Sequence, residues 1–223
     1  MVNDMHIFNL KEYICVLNNL FAIITKFYFM KIVLIIFSVI FLFFLASQFF
    51  IYKSSHDIEG YKYVIIKSFT DFEIREYEAS LFTSVKLETD DYSDASSQGF
   101  SILGGYIFGK NENKEKISMT SPVSMTLEEE MTMMFLVPKN IKKEDLPKPD
   151  NSHIKFIEIP DKKMAAITFS GWANNNKIQS YKLALMKLLD ENGIKHSNKF
   201  LVLGYNPPFE LFFRKNEIIV ELD

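Results

Sequence analysis

The residues able to do chemistry are few and scattered. Histidine is the side chain best suited to metal ligation and to acid–base work near neutrality. It occurs at His6, His56, His153 and His196, and no two share one element at metal-ligand spacing. His153 and His196 stand among loop residues, where a solvated role is expected. Glu73, Glu76 and Glu78 would supply a general acid or base if one were buried, but their alternation predicts a single solvated strand face. Arg214 and Lys215 form a cationic pair suited to carboxylates, with Arg the bidentate partner. Met119, Met125, Met131, Met133 and Met134 cluster mid-chain, the usual pattern of thioethers filling an irregular core. The one cysteine, Cys15, excludes an intrachain disulfide and a multi-cysteine metal site. No nucleophile–base pair and no Gly-rich phosphate loop can be named, so the inventory favours binding over catalysis.

These residues must be positioned by a repeated set of elements. Tyr61 to Lys67, Phe72 to Tyr77 and Leu81 to Leu87 are rich in aromatic and β-branched residues and predict strands. Tyr92 to Phe108 predicts a helix, with Asp90 or Asp91 as its cap and Gly99, Phe100, Leu103, Tyr106 and Ile107 on one face. Gly109 stands where a helix ends in the left-handed region. Lys116 to Met119 and Val123 to Leu127 predict a strand pair broken by Pro122, followed by a strand at Met131 to Val137 and a charged loop at residues 140–151. The pattern then starts over: strands at Ile154 to Ile159 and Met164 to Ser170, a helix at Asn176 to Glu191 ending near Gly193, and strands at Phe200 to Tyr205 and Glu217 to Leu222. The expected fold is α+β. Two duplicated β-β-α-β-β units, related by a pseudo-twofold, would pair into one curved antiparallel sheet or barrel with two flanking helices.

A different segment precedes them. Residues 32–52, Ile32 to Tyr52, carry no charge, and at about 1.5 Å per residue they match the roughly 30 Å hydrocarbon core of a bilayer. This predicts a transmembrane signal anchor, with residues 1–31 an N-terminal extension that includes a second candidate start at Met30, residues 53–60 a linker, and 61–223 the folded domain. Lys26 and Lys31 before the span place the N-terminus in the cytoplasm, so a single-pass protein with its domain on the periplasmic side is expected. The formal net charge of -3 gives no basic stripe for nucleic acid.

Four collinear stretches carry a resemblance: FEIREYE at Phe72 to Glu78, YIFGKNENKEKISMTSPV at Tyr106 to Val123, LPKP at Leu146 to Pro149, and GYNPPFELFFRKNE at Gly204 to Glu217. Residues 61–222 thus resemble the SOUL haem-binding protein family. The resemblance implies a duplicated β-barrel, related to bacterial effector-binding domains, that holds haem or another tetrapyrrole without catalysing a reaction. In one animal branch the ligand candidate is a histidine in the EIR-x-Y strand, where this chain has Glu76. In another, basic residues near the propionates flank a cleft beside the first helix, at positions matching Ser97 and Gly105. What remains to hold a flat apolar ligand is Phe100, Leu103, Tyr106, Ile107 and Met119, with Arg214 near an acidic group. The alternatives are another hydrophobic small molecule or a protein partner in the same cleft, or hydrolysis through a cavity carboxylate among Glu73, Glu76 and Glu78.

Overall fold

A computed structural model of the chain describes residues 2–56, 58–127, 130–207 and 210–223. It divides into two units, Met1–Ile51 and Tyr52–Asp223. The first is the greater part of one long helix, α1 (Val2–His56). Within it Ile23–Ile51 is strongly apolar, with Lys26 and Lys31 near its start, and unburied, with the length and composition of a membrane span or a signal sequence. The apolar stretch begins before the expected Ile32, and residues 53–56, expected as linker, continue the helix.

Among its described residues the second unit contains nine strands, two α-helices and a 3-10 turn at Lys143–Asp145: β1 (Tyr63–Ser68), β2 (Glu73–Tyr77), β3 (Ser80–Lys86), α2 (Tyr92–Ile107), β4 (Val123–Thr126), β5 (Thr132–Leu136), β6 (Lys155–Ile159), β7 (Lys162–Ser170), α3 (Asn175–Glu191), β8 (His196–Gly204) and β9 (Lys215–Leu222). All strands lie in one antiparallel sheet, ordered β1-β2-β7-β9-β8-β4-β5-β3-β6. The twofold is visible in that order. β2-β7-β9-β8 on one side is matched by β6-β3-β5-β4 on the other. Each unit has exchanged its first strand: β2 pairs with β7 of the second repeat, and β6 with β3 of the first.

This exchange forces the sheet to curl. The chain passes from β2 to β3 through Glu78 and Ala79 alone, and from β6 to β7 through Pro160 and Asp161 alone. Two intervening residues span at most about 11 Å, yet several strands separate the ends they join. The two margins of the sheet therefore have to face one another, and Tyr61 closes the seam. Its ring lies 4.6 Å from that of Tyr77 on β2 and 5.2 Å from that of Phe82 on β3. Alternation then sends one set of side chains into this concave interior, where Tyr77, Phe82, Met134, Leu136, Met164, Leu203 and Ile219 are buried. The other set faces the helices. α2 packs on β3 and β5, and α3 on β7, β8 and β9.

Asp91 and Gly109 cap α2 as the sequence predicts, and an asparagine caps α3. Asp91 Oδ1 accepts the Asp94 N–H at 2.9 Å, Asn174 caps α3 through Lys177 N–H, and Gly109 has φ 108°. One expected strand is absent. Lys116–Met119 is irregular, because Ile117 N–H is spent on the Ile107 carbonyl at the end of α2 (2.9 Å) rather than on a neighbouring strand. Inside, Gly99 lets α2 approach β5. A Cβ there would stand 2.8 Å from Met133 Sδ and 3.0 Å from Met133 Cβ and Leu87 Cδ1. Gly99→Ala should therefore destabilise by about 1–3 kcal/mol through overpacking, in spite of a helix-propensity gain of about 1 kcal/mol. Urea unfolding followed by emission of the sole tryptophan, Trp172, measures this; an unchanged or raised midpoint would contradict it.

Candidate functional site

Of the residues expected to hold a ligand, three face inward. Leu103, Tyr106 and Ile107 are buried in the core beneath α2, and the Tyr106 hydroxyl donates to the Pro147 carbonyl at 2.9 Å. Met119 is partly buried against the same core. Phe100 is half-buried, its ring 5.6 Å from that of Phe135. Arg214 is far along the chain and does local work. It donates to the carbonyls of Pro207 (2.9 Å), Glu210 (2.8 Å) and Asn206 (3.3 Å), and stacks on Trp172 at 4.0 Å. Burial lowers its pKa, opposed by the nearby Tyr92 and Glu210. The six are thus not one cluster.

The outer side of α2 presents a different set. Ser97, Ser101 and Gly105 follow at four-residue spacing, leaving a strip with almost no side-chain bulk. Beside it, Gly104 sits between two rings: a Cβ there would lie 3.5 Å from Phe100 and 4.0 Å from the exposed Phe108. At the helix end Lys110 folds back. Its Cδ and Nζ stand 3.0 and 3.7 Å from where a Gly105 Cβ would be. The helix strip lacks a basic residue at position 105, but a lysine five residues on delivers an ammonium to that place. Periodicity cannot show this, because Lys110 lies beyond the helix and reaches back only through the turn at Gly109.

The strongest electrostatic feature lies inside the barrel. Arg75 and Glu217 are both buried, and the guanidinium meets the carboxylate with two bonds, Nη1–Oε2 at 2.8 Å and Nη2–Oε1 at 3.0 Å. Glu217 also accepts from Tyr205 Oη (2.6 Å) and Thr168 Oγ1 (3.2 Å), with Lys215 Nζ at 3.0 Å. Arg75 donates to Glu73 (2.7 Å) and Tyr77 Oη (3.1 Å) and lies over the Tyr63 ring at 4.2 Å. Desolvation alone would raise the Glu217 pKa; the bonds and charge of Arg75, then Tyr205 and Lys215, outweigh it and hold the carboxyl below its ordinary value. Burial pushes Tyr205 and Tyr77 upward, and Tyr61 up to about 12.

The expectation of one acidic strand face is corrected here. Glu73 points inward to Arg75, whereas Glu76 stands on the opposite face and is exposed, because three residues along a strand reverse the side. Glu78 is exposed and paired with Lys139 at 3.2 Å. None of the three is fully buried; among the described residues the buried carboxylates are Glu217 and Glu210. Among the described residues no group of three or more His, Cys, Asp or Glu side chains is placed to hold a metal ion. His153 is exposed in its loop, and His196 Nδ1 lies 2.7 Å from the Ser197 carbonyl oxygen. His6 and His56 lie on α1, with side chains outside the described set.

The fold and these motifs agree with the comparisons. A family model described as SOUL heme-binding protein matches residues 58–221. The chain belongs to the SOUL haem-binding family. Heme-binding protein 2 of Mus musculus is 31% identical over 156 residues, covering 66% of this chain and 76% of that one. Heme-binding protein 1 of Xenopus laevis is 27% identical over 155 residues, covering 66% and 81%. Among solved structures, the EcmrR C-terminal domain superposes with a TM-score of 0.53 at 14% identity, covering 68% of this chain and 96% of that one. A hydrolase from Listeria innocua gives 0.52 at 10% identity, covering 71% and 94%. These structural likenesses show a shared fold.

The interior pair generates a prediction. Arg75→Met leaves Glu217 buried without its main partner and should cost about 3–5 kcal/mol, with much of the loss recovered in Arg75→Met/Glu217→Leu. Because the folded pKa of Glu217 is depressed, its contribution is present above the unfolded carboxyl value and is lost as pH falls. Wild-type stability should therefore drop below about pH 4–5, more steeply than in the double variant. Urea titrations across pH measure both; a loss under about 1 kcal/mol in Arg75→Met would contradict the reading.

Proposed function

We propose that this chain is a haem- or tetrapyrrole-binding protein without catalytic activity, holding a flat apolar ligand against the outer face of α2. The observation that carries the proposal is the Lys110 ammonium folded over Gly105 beside the rings of Phe100 and Phe108. A planar ligand needs a surface without side-chain bulk, apolar walls and a cation for its carboxylates, and this strip offers each. Ser97, Ser101 and Gly105 form the floor, Phe100 and Phe108 the apolar flank, and Lys110 the carboxylate partner. Leu103, Tyr106 and Ile107 serve from behind by fixing the helix on the sheet. Association is driven by apolar burial, at about 25 cal/mol per Å² before ordering costs. Bound haem would supply iron chemistry; the chain's own part is to hold and orient the ring. The protein is anchored by residues 32–52 as a single pass, with Lys26 and Lys31 before the span on the cytoplasmic side and the folded unit in the periplasm.

A second reading rests on another observation. Trp172, Phe212 and Phe213 are exposed around the Arg214 stack, Phe213 by 84%. Aromatic residues with arginine are the composition of protein-interaction hot spots, and that patch suits a protein partner.

Titrating the detergent-solubilised full chain with haemin tests the first reading. A saturable, stoichiometric Soret shift is expected, weakened roughly tenfold in Lys110→Ala, as for loss of about 1.4 kcal/mol. It should be abolished in Gly105→Leu, which displaces Lys110 and fills the strip. No saturable shift, or one indifferent to both substitutions, would overturn it.

A further inference from the structure

β1 stands at one margin of the sheet. α2 packs on β3 and β5 and α3 on β7, β8 and β9, so neither of these helices packs on β1. Along it Val64, Ile65 and Ile66 follow one another at 66%, 49% and 49% exposure, Val64 on the outer side with Glu76 and Ile65 on the side of Arg75. The strand bulges between Ile65 and Lys67: Ile65 is opposite Arg75 and Lys67 opposite Ile74. Ile66 is thereby left out of the pairing, and Lys67 is moved to the face that carries Val64. Lys62 and Lys67 are exposed at the two ends of this apolar run. Two acids stand on the adjoining outward row: Glu76, opposite Val64 on one side and the exposed Lys163 on the other, and Glu78, beside Lys62 and paired with Lys139 at 3.2 Å. The patch is apolar at its centre, with an exposed lysine at each end.

We infer that β1 is a lipid-contact strand, with Val64 and Ile66 seated at the headgroup boundary of a bilayer and Lys62 and Lys67 meeting anionic headgroups. Two properties choose this occupant over a second copy of the chain. A bulge and flanking lysines are the devices by which edge strands refuse strand addition, whereas aliphatic side chains bordered by lysine are what an anionic interface attracts. The chain also keeps a bilayer within reach. Only residues 52–62 separate the apolar span from β1, and since the helix continues to His56 this tether extends roughly 30 Å at most. That second argument rests on the proposed membrane anchoring; the patch itself does not.

The test uses the full chain with Cys15→Ser and a single new cysteine at Val64→Cys, carrying an environment-sensitive fluorophore. The control is Leu183→Cys, exposed on α3. Both are reconstituted in nanodiscs of phosphatidylcholine with phosphatidylglycerol, with ordinary or brominated acyl chains. The expected result is several-fold stronger quenching at position 64 than at 183, falling to the control level in Lys62→Glu/Lys67→Glu or when phosphatidylglycerol is omitted. Equal quenching at both positions, or none, overturns the proposal. A blue shift at position 64 that follows protein concentration and ignores bromination also overturns it, in favour of a second copy. Carbonate extraction of membranes reports separately on the helix. A chain retained in the membrane but unquenched at 64 refutes the lipid contact and keeps the anchor. A chain extracted yet quenched at 64 by these bilayers refutes the anchor and keeps the contact.

Discussion

The ion pair between Arg75 and Glu217 is the interaction on which the interior of this fold depends. It connects β2 near one margin of the sheet to β9, two strands away, across the concave surface. Two charges out of water cost several kcal/mol each, and only close geometry with every remaining donor and acceptor matched offsets that cost. Here Tyr205, Thr168 and Lys215 complete the carboxylate while Glu73, Tyr77 and the Tyr63 ring complete the guanidinium. Arg75 and Glu217 stand on the same face of the sheet with β7 between their strands, so the pair ties β2, β7 and β9 together through Thr168. Aromatic and aliphatic side chains fill the rest of the interior.

A filled interior directs attention to the outer layer. α2 is asked to do two things with opposite faces. Its inner face supplies Leu103, Tyr106 and Ile107 to the core, with Gly99 permitting the close approach to Met133. Its outer face carries serine and glycine where bulk would otherwise stand. The glycines that weaken the helix by roughly 1 kcal/mol each are offset by that approach on one side and leave an open surface on the other. The turn at Gly109 then brings Lys110 back over the strip. The proposed ligand site is in this sense a by-product of how the helix is packed and ended.

Much of this architecture was legible in the sequence because its signals are local. Strand alternation, the Asp91 cap and the glycines at 109 and 193 placed nearly every element, and the repeated pattern implied the twofold. What escaped was non-local. The exchange of β2 and β6 between repeats leaves no trace in either repeat's own periodicity. Lys116–Met119 alternates like a strand but is held by the end of α2. The buried pair had a faint signal, an arginine between aromatic-flanked positions in EIREY and a glutamate opening the apolar alternation of Glu217 to Leu222, but nothing local says that the two meet. Helical spacing puts Leu103, Tyr106 and Ile107 on one apolar face with Phe100, but periodicity alone cannot say whether such a face meets a core or a ligand.

The central claim is that ligand recognition belongs to the outer face of α2 and not to the barrel interior. Backbone amide shifts of the isotope-labelled protein, recorded as a diamagnetic gallium protoporphyrin is added, test this most directly. The account predicts perturbations concentrated on Ser97, Ser101, Gly104, Gly105, Phe108 and Lys110. Perturbations centred instead on Tyr61, Arg75, Tyr205 and Glu217, with α2 unmoved, would contradict it.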